Sequence, residues 1–78
     1  MSRLKLVSAK KMEKLLFHLG FEKVRQKESH AFYRHSDGRT TTLPHHGNRM
    51  LLRPLLREII REIEVTIEQY DELLENSV

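Results

Sequence analysis

Residues Ser29 to Pro44, Ser-His-Ala-Phe-Tyr-Arg-His-Ser-Asp-Gly-Arg-Thr-Thr-Thr-Leu-Pro, decide the fold. Ser29 to His35 reads as a strand, and Asp37-Gly38 is a strong hairpin signal. Arg39 to Leu43 reads as the returning strand, closed by Pro44, which cannot donate to a ladder. A two-residue turn at Asp37-Gly38 pairs Ser36 with Arg39, Phe32 with Leu43 and His30 with His45. Alternation puts His30, Phe32 and Arg34 on one face and Ala31, Tyr33 and His35 on the other. Tyr33 is expected to point inward, which leaves Phe32 beside His30 on the wet face.

Outward from this hairpin the chain is helical at both ends. Ser8 can cap a helix whose stripe is Met12, Leu15, Leu16 and Leu19, and Gly20 suits its end. Phe17 and Phe21 are expected in the core, and His18 on the surface. Phe21 to Lys27 then alternates as a first strand, with Val24 toward a core and Lys23, Arg25 and Lys27 sharing the opposite face. After the hairpin, Pro54 suits the first turn of a helix with Leu55, Leu56, Ile59, Ile60 and Ile63 as its apolar set. Thr66 to Gln69 is a capping box for a last helix, with Val65 and Tyr70 as a hydrophobic staple and Ile67, Tyr70, Leu73 and Leu74 buried. The reading is an α+β fold: helix, three-stranded antiparallel meander, then two helices, with the helices on one face of the sheet.

The whole chain, residues 1–78, is expected to be a single small domain. It has no cysteine, which removes disulfides and thiolate metal sites. No apolar run approaches the ~20 residues of a membrane span, and no signal-peptide pattern opens the chain, so a cytoplasmic location is expected. The net charge of +3 hides an asymmetry: Met1 to Arg49 holds eleven Lys/Arg against four Asp/Glu, and Met50 to Val78 three against seven. A basic half attracts polyanions, and an acidic half repels them.

The face that carries His30 has the components of RNA chemistry. RNA holds its own nucleophile, the 2′-hydroxyl beside each phosphate. Imidazole, with a reference pKa of about 6.5, suits the removal of that proton. Lys23, Arg25, Lys27 and Arg34 are candidates to hold phosphate, and Phe32 to stack an unpaired base. His45, opposite His30 in the expected register, is a candidate second acid or base. The adjacent pair His45-His46 is a poor metal site, because zinc wants three or four converging ligands; no metal or other cofactor is expected. Opposite this, each feature has a plain reading: a surface histidine, a solvated cationic strand and acidic helices that merely meet water.

The order of motifs resembles the HicA toxins, which are small mRNA interferases. The resemblance rests on Gly20-Phe21, Val24-Arg25-Gln26-Lys27 and Ser29-His30-Ala31-Phe32-Tyr33. It continues through Leu43-Pro44-His45-His46 and Leu56-Arg57-Glu58-Ile59-Ile60-Arg61 with the trailing helix. It implies a fold like the double-stranded-RNA-binding domain and RNA cleavage without a metal. It implies His30 as the catalytic histidine, Ser29 beside it, and neutralisation by a HicB-type antitoxin. The chain departs from the pattern at Glu28, where the family usually has Gly, and at Glu64, where Gly often ends the helix. Pro54 likewise stands where Gly-Thr often begins it. Glu28 leaves two other readings open, a non-catalytic RNA-binding module of the same shape and a protein-interaction domain.

Overall fold

The structure, a computed structural model, describes residues 4–46 and 49–76. Helix α1 spans Ala9–His18, strands β1, β2 and β3 span Glu22–Lys27, His30–Arg34 and Thr40–Pro44, and helices α2 and α3 span Arg53–Glu62 and Ile67–Glu75. The sheet is antiparallel in the order β1-β2-β3, so element order and fold class are those expected. Ala31, Tyr33, Thr41 and Leu43 are buried beneath the helices, whereas His30, Arg34 and Thr40 are exposed on the other face.

Local chemistry sets the helix ends. The Ser8 hydroxyl accepts from the Lys11 N–H at 3.2 Å and starts α1. At its far end Phe21 N–H reaches Leu16 O and Gly20 N–H reaches Phe17 O, with Gly20 at φ +98°. These two bonds form a Schellman cap, whose left-handed position glycine occupies without steric cost. Helix α2 ends in the same motif: Val65 N–H bonds Ile60 O and Glu64 N–H bonds Arg61 O. Here Glu64 holds the left-handed position, at φ +57°. Pro54 lies in the first turn of α2, and the Thr66–Gln69 capping box opens α3 with both of its reciprocal bonds.

The core is one cluster drawn from every element except β1, with Met12, Leu15, Leu16, Tyr33, Leu43, Leu56, Ile59, Ile63 and Tyr70 all less than 2 % exposed. Tyr70 donates its hydroxyl to Lys5 O at 2.6 Å, tying α3 to the N-terminal segment. Phe21 is buried as expected, but Phe17 is 48 % exposed. Helix periodicity places Phe17 one position off the Leu15–Leu16 stripe, at the rim rather than in the core.

Two expectations of register are corrected. The β2–β3 pairing is Arg34↔Thr40, Tyr33↔Thr41, Phe32↔Thr42, Ala31↔Leu43 and His30↔Pro44. The turn has three residues, Ser36 to Gly38, closed by His35 N–H to Arg39 O at 2.8 Å, with Gly38 at φ +101°. One added turn residue moves β3 by one position, and that move sends Leu43 inward to meet Ala31. In β1 the register shifts between Lys23 and Arg25, so Val24 sits in a bulge and is 47 % exposed instead of buried.

Candidate nucleic-acid interface

The bulge divides the basic strand. Lys23 pairs with inward-facing Tyr33, whereas Arg25 pairs with Phe32 and Lys27 with His30. Lys23 therefore leaves the expected cationic face: its Nζ lies 2.9 Å from Glu13 Oε2 on α1. Arg25 and Lys27 stay on the face of His30 and Arg34, and all four are exposed. The Arg25 guanidinium sits 4.7 Å from the centre of the Phe32 ring. Arg25, Phe32 and Arg34 line a groove of about 260 Å³ floored by Thr40, Thr41 and Thr42. A cation, an aromatic face and hydroxyls in one groove fit a ribose-phosphate chain with unstacked bases.

His30 opens β2 directly after a two-residue turn of Glu28 and Ser29, because Lys27 and His30 are cross-strand partners. Glu28 has φ +55°. Positive φ at the first residue of such a turn is where type II′ hairpins place glycine, which gives a physical reason for Gly at this position in the family pattern. Glu28 is thus a turn residue, between the end of β1 and the start of β2. The Ser29 carbonyl accepts the His45 N–H at 2.6 Å, fastening the chain beyond β3 to the start of β2.

His45 does not stand opposite His30; Pro44 does. The His45 ring is directed to the helix side, where its Nε2 is 3.0 Å from the Tyr33 hydroxyl. The same hydroxyl donates to Glu13 Oε2 at 2.5 Å, which leaves its oxygen to accept from His45 Nε2–H. Burial acts against the Glu13 carboxylate, but the bonds from Tyr33 and Lys23 and the charges of Lys23 and His45 outweigh it and hold its carboxyl below the usual range. Burial first, and then the Glu13 hydrogen bond and charge, push the Tyr33 hydroxyl far above the ordinary tyrosine value. Lys23, Glu13, Tyr33 and His45 form a cluster on the helix side of the sheet, and of these Tyr33 also borders the groove.

The imidazole that does meet His30 is His46, whose ring centre lies 6.5 Å away at 85° to it. Sequence reading missed His46 as a site residue, because a one-residue error in β3 exchanges the two adjacent histidines. His35, on the Tyr33 face by alternation, is partly buried against Phe21, with ring centres 5.2 Å apart and Nε2 3.1 Å from Leu19 O. The acidic helices meet water along Glu58, Glu62, Glu68, Glu72 and Glu75, and Glu62 also accepts the Thr41 hydroxyl at 2.8 Å. Among the described residues no group of three or more His, Asp or Glu converges to hold a metal, and no helix is long and apolar enough to cross a membrane.

A family profile described as the HicA toxin of bacterial toxin–antitoxin matches residues 9–65, well over half of the chain. The chain belongs to the HicA toxin family. Its role is accordingly that of the toxin in a toxin–antitoxin pair, with an antitoxin as its partner. The match runs from the start of α1 through the Glu64 cap, so it contains the whole sheet, His30, the groove and the His46 position of this HicA chain. No curated protein matches the chain.

Proposed function

We propose that the chain is an endoribonuclease that cuts mRNA, with His30 as the general acid or base at the reacting ribose. The observation that carries this reading is an exposed imidazole at the start of β2, sharing one sheet face with Lys27, Arg25, Phe32 and Arg34. The cations would hold phosphates on either side of the cut and offset the charge that develops on phosphorus. Phe32 and the Arg25 plane over it would stack a base and splay the strand. A neutral imidazole then takes the 2′-hydroxyl proton, and the freed oxygen attacks the adjacent phosphorus. This course needs no metal. Acid–base help of this kind supplies about 10²–10⁴-fold, enough for a slow ribonuclease that acts on an abundant substrate.

The antitoxin is proposed to be of the HicB type and to act by covering His30 and the Arg25–Lys27 edge, in the cytoplasm where mRNA is found. The acidic surface of α2 and α3 would discourage RNA from the opposite side of the domain. Ser29 contributes through its backbone, which fixes the approach of the chain after β3.

Induced expression tests the reading. The wild-type chain should arrest growth, and His30→Ala should relieve the arrest while purified His30→Ala still binds RNA. Purified wild-type protein should cut a defined RNA with chelator present. RNA binding without cleavage by the wild type would support the non-catalytic module instead, and absence of RNA binding at low salt would support the protein-interaction domain.

A further inference from the structure

We infer that His46 is the second proton-transfer residue of this site, the general acid for the leaving nucleotide; the inference rests on the ribonuclease reading above. Cleavage by a 2′-hydroxyl needs a base on one side of phosphorus and an acid on the other, since attack and departure are in line. The His30 and His46 ring centres are 6.5 Å apart, and both rings are exposed. A gap of that size admits one phosphoryl group with an oxygen within hydrogen-bond reach of each ring, roughly 2.6–3.2 Å.

The fold sets this pair deliberately. His45 N–H is bonded to Ser29 O, and the His45 ring is held on the helix side by Tyr33. The next side chain therefore emerges on the opposite side, over the face of His30. His46 also borders a recess of about 170 Å³ with Pro44, Arg49, Met50 and Leu52. Met50 and Leu52 are 58 % and 73 % exposed, an apolar surface beside a cation. The recess suits the nucleoside on the leaving side, while the Arg25–Lys27 edge takes the strand that keeps the phosphate. His30 is accordingly the base and His46 the acid.

In the step itself His30 accepts the 2′-hydroxyl proton and the 2′-oxygen bonds to phosphorus. The P–O5′ bond breaks, its electron pair stays on O5′, and that oxygen takes the proton of His46. The products are a 2′,3′-cyclic phosphate and a 5′-hydroxyl. The two exposed rings then return to their starting protonation states by exchange with water.

A leaving group that needs no proton separates the two roles. Wild type, His30→Ala, His46→Ala and His46→Gln are compared on an RNA oligonucleotide and on uridine 3′-(4-nitrophenyl phosphate). Loss of the acid should slow RNA cleavage by about 10²–10⁴-fold in both His46 variants and slow the aryl ester by less than about 10-fold. Loss of the base in His30→Ala should slow both substrates. Equal losses on the two substrates in His46→Ala, an unimpaired RNA rate, or a wild-type rate in His46→Gln would each overturn the acid role while leaving His30 standing. A His30→Ala variant that cuts both substrates at wild-type rate would instead overturn His30 as the base, and no cleavage by the wild type would overturn the ribonuclease reading; the pair falls with either.

Discussion

The Tyr33 hydroxyl lies 2.5 Å from Glu13 Oε2 and 3.0 Å from His45 Nε2, and so joins α1 to the segment that leaves β3. The contact is made well below the sheet face that carries His30, yet it fixes which of two adjacent histidines turns toward that face. Structure and proposed chemistry meet at this hydroxyl.

Tyr33→Phe should therefore lower stability by about 1–2 kcal/mol, because it removes a charge-assisted bond while the apolar ring still fills the core. Since the folded Glu13 carboxyl is held below its ordinary value, the unfolded chain binds more protons as pH falls. Stability from this group is present above its unfolded value, about 4.3, and is lost as pH falls through the lower folded one. Denaturant unfolding of the wild type between pH 7 and pH 3 should show that loss, and Glu13→Gln should flatten it. Parallel wild-type and Glu13→Gln curves would show that the acid dependence arises elsewhere.

Glu28 and Glu64 both hold positive φ, at 55° and 57°. Glycine at either position should stabilise the fold by about 0.5–1 kcal/mol, the relief of left-handed strain less the entropy glycine loses on folding. On thermal unfolding each change should raise the midpoint by roughly 2–8 °C. The two differ in RNA binding. Glu28→Gly removes a negative charge from the turn that leads into His30 and should tighten binding, whereas Glu64→Gly, next to the Ile63 carbonyl that Arg39 grips at the other end of the hairpin, should leave it unchanged. Equal affinities for both variants would place the Glu28 carboxylate away from the RNA path.

Lys23 and Arg25 look equivalent in sequence and are not so in the fold. Arg25→Ala should reduce the slope of log affinity against log salt by about 0.7, the loss of one phosphate contact on single-stranded RNA. Lys23 is engaged with Glu13, so Lys23→Ala should leave that slope nearly unchanged and show its effect in stability instead. Titration of a fluorescent RNA at several salt concentrations measures both. A larger slope change for Lys23→Ala would mean that the lysine leaves Glu13 to meet RNA.

Much of this was legible in the sequence, and the reasons are specific. The helices were readable from their stripes and caps, since Ser8, Gly20, Pro54 and Thr66 each act within one turn. Alternation within β2 set Tyr33 and Phe32 on opposite faces but could not say which face is buried, since each carries an aromatic; the structure buries Tyr33. The β3 register was not readable, because Asp37-Gly38 serves a two-residue turn and also a three-residue turn with Gly38 left-handed. That ambiguity moved Leu43 into the core and exchanged His45 with His46. The bulge at Val24 carries no glycine or proline to announce it, so the departure of Lys23 from the basic face had no local signal. Glu28 and Glu64 show the converse: places where the family pattern expects glycine proved to be left-handed, although the residue present gives no hint of it.

The most direct test of the central claim is the chemistry of the RNA ends left by purified protein with chelator present. Cleavage through His30 and the ribose oxygen predicts a 2′,3′-cyclic phosphate on one fragment and a 5′-hydroxyl on the other, with neither formed by His30→Ala. Fragments that carry a 3′-hydroxyl and a 5′-phosphate, or equal cleavage by His30→Ala, would contradict it.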